Sequence, residues 1–198
     1  MTNIKHVYFD AGGVLFKFRN GLKDIAHKHN LNYSDFEQVF RKYDDQVVKG
    51  NMSAQKLWGH YQAELGFTEN LDYLEYWVSK LSPIIETHLF VQELVDQNMP
   101  VGLITNLYSG VYDKAVINGK IPNIPYSSVI QSSAAHMMKP EIEIYLLAQK
   151  QAKVKPENIL FTDDKPEFLE PAKRLGWETV LFKENEPTES ISIIKSLM

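Results

Sequence analysis

The chain contains no cysteine, which excludes disulfides, thiolate metal ligands and cysteine nucleophiles. It has no lysine- or arginine-rich cluster, and its formal net charge of −4 offers no electrostatic footprint for nucleic acid. No apolar run reaches the length needed to cross a bilayer. The opening MTNIKHVYFDAGG meets polar residues and an aspartate too early for the apolar core of a signal peptide. Repeats, low-complexity tracts and disordered linkers are also lacking. What is present is an ordinary globular mix, 44% hydrophobic and 23% charged over 198 residues. That is enough for a substantial core, as one domain or one domain carrying an insert. The expectation is a cytoplasmic protein, monomer or homodimer, with no nucleic-acid or membrane partner. A small anionic substrate stays open, because local groups and a metal bind it rather than overall charge.

Five short apolar runs read as buried strands: 4–9, 101–105, 128–131, 158–162 and 179–182. They are nearly continuous rather than alternating, as parallel strands covered on both faces are. Helical stretches at 85–97, 108–117, 142–152 and 167–175 precede the last four runs. Strands alternating with helices give an α/β fold with a doubly wound, Rossmann-like parallel sheet. Residues 16–81 break the rhythm, with no convincing strand. Phe36, Val39, Phe40, Tyr43 and Val47 share one helical face, and Leu57, Tyr61 and Leu65 repeat the pattern. Leu71, Leu74, Val78 and Leu81 do so again. These segments are either extra core helices or a lid hinged near Phe16–Arg19 and Ser79–Pro83.

Ligands of an open parallel sheet bind at the carboxyl ends of its strands. The first strand ends at Asp10, followed by Ala11, Gly12 and Gly13; the second at Thr105 and Asn106; the fourth at Asp163 and Asp164. Lys139-Pro140 is expected to open a helix. Carboxylates gathered at one edge repel each other and call for a hard cation such as Mg²⁺. Asp10 is placed to attack phosphorus, giving an aspartyl-phosphate that water hydrolyses. Gly12 and Gly13 allow a tight turn whose backbone amides approach a phosphate. Taken singly, each fragment also reads as a cap or turn residue; it is their order on successive strand ends that carries the reading.

HVYFDAGGVLF, VGLITN, KPEIEIYLLAQKQAKVKPENILFTDD and FTDDKPEFLEPAKRLGWETVLF resemble, in order, the motifs of the haloacid dehalogenase superfamily. The resemblance spans essentially the whole chain. It implies a core of residues 1–16 and 82–198 and a small helical cap of residues 17–81. It also implies that Asp10 is the nucleophile and a metal ligand, and that the Gly12 carbonyl, Asp163 and Asp164 complete the metal site. Thr105 and Asn106 would bind the phosphoryl group, and Lys139 would neutralise charge on Asp10 and the phosphate.

Three positions depart from the family pattern. Gly12 stands where phosphatases usually carry an acid–base aspartate, a group that contributes roughly 100- to 10,000-fold in rate. Phe168 stands where many members have Asp or Asn, a loss that Asp163 could offset. His136 stands where relatives commonly have glycine; we read it as a surface turn residue. The Gly-Gly form of the first motif resembles a branch of sugar-phosphate phosphatases. The expected function is therefore a Mg²⁺-dependent phosphatase of a small phosphorylated metabolite, sugar phosphates among them. Substrates whose leaving group needs little protonation, such as anomeric or acyl phosphates, suit Gly12. The alternatives are a metal-free 2-haloacid dehalogenase and a non-catalytic binding relative. Trp58, His60, Tyr61, Tyr73, Tyr76 and Trp77 are the candidates for lining the pocket, and one or two of them are expected there.

Overall fold

The computed structural model describes residues 3–18 and 21–198. Five parallel strands form the central sheet: β1 (His6–Phe9), β4 (Val101–Thr105), β5 (Ser128–Gln131), β6 (Ile159–Asp163) and β7 (Glu178–Leu181). Their order is β5-β4-β1-β6-β7, every pairing parallel, so the strand carrying Asp10 is central. Successive side chains point to opposite faces of a strand, and the core divides accordingly. Val7, Phe9 and Leu103 pack with α5 (Ile85–Asp96), α6 (Val111–Ile117) and α10 (Pro187–Leu197). Tyr8, Ile104 and Phe161 pack with α8 (Ile142–Ala152) and α9 (Pro166–Arg174). The sheet is doubly wound, as its unbroken apolar runs imply.

Four helices are inserted after the first strand and form a cap: α1 (Gly21–Lys28), α2 (Tyr33–Val48), α3 (Ala54–Leu65) and α4 (Tyr73–Ser79). Local chemistry sets their starts. The side chains of Asn32, Ser53 and Asp72 each accept a backbone N–H of the first turn, which supplies partners for donors that a helix leaves unpaired. Their apolar faces meet around Phe36, Leu57, Trp58, Tyr61 and Tyr73, all buried.

The segment read as strandless does contain strands. β2 (Phe16–Phe18) pairs antiparallel with β3 (Leu81–Pro83), setting Phe16 opposite Pro83 and Phe18 opposite Leu81. Runs of three residues are too short to show a period, and Pro83 masks the second. Leu71 and Leu81 fall outside α4: Leu71 precedes its N-cap Asp72, and Leu81 belongs to this ribbon. The first expected hinge extends to Arg19, which lies outside the described residues.

The far side of the cap is docked through the end of α2. Ser132 donates its hydroxyl to the Val48 carbonyl at 2.7 Å, and His136 Nδ1 donates to the Lys49 carbonyl at 2.9 Å. Lys49 forms an ion pair with Glu141. Gly50, at φ +73°, passes so close to the core that a Cβ there would lie 2.2 Å from the Ser133 carbonyl oxygen. His136 sits exposed at φ 55° after α7 (Ser132–Ala135). It is a turn residue that fastens core to cap.

Candidate active site

Asp10 follows the last residue of β1, and its backbone N–H donates to the Thr162 carbonyl on β6, so the sheet itself fixes the position. Asp163 ends β6 and Asp164 follows. One carboxylate oxygen from each of Asp10, Asp163 and Asp164 lies within 4.8 Å of the others, a grouping able to hold a metal ion. Lys139 is fully buried beside them. Its Nζ stands 2.8 Å from Asp10 Oδ1 and donates to Asp163 Oδ2 at 2.5 Å. Burial works against the lysine's charge, but the Asp10 and Asp163 carboxylates outweigh it and hold its pKa above the usual value. Burial pushes Asp163 up to about 7 against the pull of Lys139. Asp164 is raised too, first by burial and then by the charge of Asp10.

Three carboxylates face one ammonium in this cluster, which leaves a formal excess of negative charge in a poorly solvated place. Asp10 Oδ1 is buried without a well-aligned hydrogen-bond donor, and the Thr105 hydroxyl at the end of β4 is buried with no partner. An all-oxygen acidic set suits a hard cation such as Mg²⁺, and an unpaired hydroxyl beside it suits an incoming oxyanion. The residues present therefore fit a divalent cation with a phosphate.

Other expected site residues are placed differently from what their spacing suggests. Lys139-Pro140 lies in a turn ahead of α8 rather than in its first turn. Asn106 braces that turn: its Oδ1 accepts the Lys139 N–H at 2.9 Å and its Nδ2 donates to the Lys139 carbonyl at 3.0 Å. It positions the lysine. Gly13's amide donates to the Phe16 carbonyl at 2.8 Å, so it closes the turn. What Gly13's bare Cα provides is room, because a Cβ there would lie 2.4 Å from the Asp164 carboxyl. Beside Gly12, where a side chain would begin, stands the ring of Phe18, 2.9 Å from an ideal Cβ. Phe168 faces the same region, with Lys139 Nζ 5.1 Å and Lys165 Nζ 5.0 Å from its ring centre.

A cavity of about 690 Å³ lies between cap and core, reaching Lys139, Asn106 and Phe168 on the core side. Of the six cap aromatics proposed from sequence, Tyr73, Tyr76 and Trp77 line it, more than the one or two expected. Trp58 and Tyr61 are buried in the cap's own core, and His60 stacks on Tyr43 at 4.0 Å. Sequence reasoning missed Glu37, Arg41, Asp44 and Val48, which line the cavity along one stripe of α2. Their i, i+4, i+7, i+11 spacing is a helical stripe, but a polar stripe beside the apolar one at Phe36, Phe40, Tyr43 and Val47 has the same pattern as a solvated face.

The family profile of the haloacid dehalogenase-like hydrolases matches residues 4–176. The chain belongs to that family. No curated protein matches it closely enough to be called a relative. Among solved structures, a HAD-like family hydrolase from Porphyromonas gingivalis is 22% identical, with 98% of each chain covered and a TM-score of 0.79. The HAD family enzyme BT-2542 from Bacteroides thetaiotaomicron, crystallised with magnesium and inorganic phosphate, is 22% identical over 92% of this chain and 96% of its own, TM-score 0.74. The L-2-haloacid dehalogenase of Xanthobacter autotrophicus, with chloropropionic acid covalently bound, is 19% identical over 90% of this chain and 77% of its own, TM-score 0.67. At such identities the likeness establishes the haloacid dehalogenase fold. Family and fold make the chain a hydrolase. The non-catalytic reading finds no support, since the nucleophile position holds Asp10 within ion-pair distance of Lys139.

Proposed function

We propose that this hydrolase is a Mg²⁺-dependent phosphatase of a small phosphorylated metabolite, with residues 17–81 acting as the cap that selects it. The observation that carries the reading is the grouping of Asp10, Asp163 and Asp164 around the buried Lys139. The likeness to an enzyme crystallised with magnesium and inorganic phosphate supports it. Asp10, the Gly12 carbonyl, Asp163 and Asp164 would hold the cation, which when bound supplies charge neutralisation for the phosphoryl oxygens. An Asp10 oxygen attacks phosphorus in line, the bond to the leaving oxygen breaks, and an aspartyl-phosphate remains. Lys139 balances the charge of Asp10 and the phosphoryl group, and the Thr105 hydroxyl donates to a phosphoryl oxygen. Water then attacks phosphorus, releases phosphate and restores Asp10. Gly12 brings no proton donor to the leaving oxygen, which favours leaving groups that depart as weakly basic anions, such as anomeric sugar phosphates and acyl phosphates.

The test is phosphate release from p-nitrophenyl phosphate and a sugar-phosphate panel, with Mg²⁺ and with EDTA, in wild type and Asp10→Asn. The expected result is metal-dependent turnover that falls to background in the variant. Halide release from 2-halo acids that survives EDTA would move the assignment to dehalogenation. Equal rates on alkyl and anomeric phosphates would remove the leaving-group preference.

A further inference from the structure

The cavity between cap and core carries on its cap wall a carboxylate, Asp44, that the phosphate chemistry does not use. Asp44, on the α2 stripe that faces the cavity, accepts a hydrogen bond from the Tyr108 hydroxyl at 2.6 Å. Tyr108 is itself buried, three residues beyond Thr105 on the core side. Burial raises the Asp44 pKa despite this hydrogen bond, and the charges that act on it are those of Asp45 and Lys165 rather than of Asp10 or Lys139. No cation among the described residues pairs with it. Lys80 is held by Asp24, Lys139 by Asp10 and Asp163, and Lys165 lies over Phe168. Arg41, the remaining cation of the cavity lining, makes no ion pair with Asp44. Around the carboxylate the cavity wall is aromatic, with Tyr73, Tyr76 and Trp77 contributed by α4.

A half-buried carboxylate with one hydrogen bond and no ion-pair partner among the described residues retains acceptor capacity for whatever fills the cavity. Desolvating it is costly unless the occupant donates to it. Aromatic rings add attraction for a cation or a C–H-rich polyol face. We propose that Asp44, held by Tyr108, is the specificity-determining acceptor for the leaving group, selecting phosphate monoesters whose far end carries a hydrogen-bond donor, an ammonium or a hydroxyl. This rests on the phosphatase reading for the position of the phosphate. A carboxylate at the far end of the substrate meets Asp44 with like charge and is rejected.

The experiment measures kcat/KM with Mg²⁺ on four short monoesters that differ at the far end: O-phosphoethanolamine, glycerol 1-phosphate, propyl phosphate and phosphoglycolate. At least one donor-bearing ester should exceed propyl phosphate by roughly 10- to 100-fold, the scale of a hydrogen bond to a charged partner. Phosphoglycolate should rank last. Asp44→Ala should erase the preference, chiefly through KM. Asp44→Asn, which keeps an acceptor oxygen but no charge, separates the two donor chemistries: an ammonium ester loses its advantage, whereas a hydroxyl ester keeps most of it. Asp45→Asn, an exposed neighbour on the same helix, should leave the ratio unchanged. Preference for propyl phosphate or phosphoglycolate, or a ratio unmoved in Asp44→Ala, overturns the proposal. If wild type hydrolyses neither these esters nor p-nitrophenyl phosphate, the phosphatase reading fails instead. Titration calorimetry of O-phosphoethanolamine, glycerol 1-phosphate and inorganic phosphate then decides the Asp44 question. Tighter binding of a donor-bearing ester that is lost in Asp44→Ala upholds it, and equal binding refutes it.

Discussion

At the scale of single residues, Gly13 carries the sharpest constraint. Its φ of +75° is unfavourable for any side chain, and the space where a Cβ would sit is filled by the Asp164 carboxyl. Gly13→Ala should cost about 1–2 kcal/mol from the backbone alone. It should also displace Asp164, weakening Mg²⁺ binding by at least about tenfold on the scale seen when a ligand's support is removed. Urea unfolding and metal titration together check this, and an unchanged metal affinity would refute it. The need for glycine after Asp10 was legible in the sequence, but its cause was not. The two motifs are separated by about 150 residues, and only the sheet brings Gly13 against Asp164. Asn106 is a similar case. It stands at a strand end, where ligands are expected, and it also holds the Lys139 backbone through its Oδ1 and one N–H of its Nδ2, a tie that no local pattern shows.

Among the elements, β1 is the one whose chemistry extends beyond the site. Its first residue, His6, is 2% exposed, with its ring 4.4 Å from that of Tyr8 and Nε2 3.2 Å from the Ser127 hydroxyl. Burial depresses its pKa from 6.5 to about 4, so the native state prefers neutral imidazole. The stabilising contribution is fully present above pH 6.5, where both states are neutral. It is lost as pH falls from 6.5 towards 4, because only the unfolded chain then takes up the proton. The slope is about 1.4 kcal/mol per pH unit. Denaturant unfolding at several pH values should show wild type losing more stability across this window than His6→Asn, and parallel pH profiles would contradict the assignment. The strands were readable because both faces are covered, which makes Val101–Thr105 and Ile159–Asp163 unbroken in burial. The β2–β3 ribbon was not readable. Phe16–Phe18 and Leu81–Pro83 become strands only by pairing with each other across the whole cap.

For the molecule as a whole, Asp10, Asp163 and Asp164 converge from two strand ends on the single ammonium of Lys139, and a bound cation would relieve the remaining excess of negative charge. A ligand that binds the folded chain alone stabilises it by about 2.7 kcal/mol at a hundred times its dissociation constant. For a chain of this length that corresponds to a rise in Tm of about 5–10 °C. Calorimetric scans with Mg²⁺ and with EDTA should show the shift in wild type and a much smaller one in Asp164→Asn. Equal shifts in both would place the ion elsewhere. The insert's helices were legible from three amphipathic stripes, but that they form a cap rather than extra core followed only from the family motifs on either side. The cap's orientation was not legible, because it depends on contacts such as Tyr108 with Asp44 that no local pattern encodes.

That cap is fastened on two sides, by the β2–β3 ribbon and by the end of α2, where Ser132, His136 and Glu141 hold residues 48 and 49. On the phosphatase reading proposed above, a site roofed in this way favours molecules small enough to lie between cap and core. A phosphorylated side chain on a folded protein, tethered to a bulk that the cap would have to admit, is then expected to be a far poorer substrate than a freely diffusing ester. Such an enzyme would answer to metabolite levels rather than to protein-phosphorylation signals.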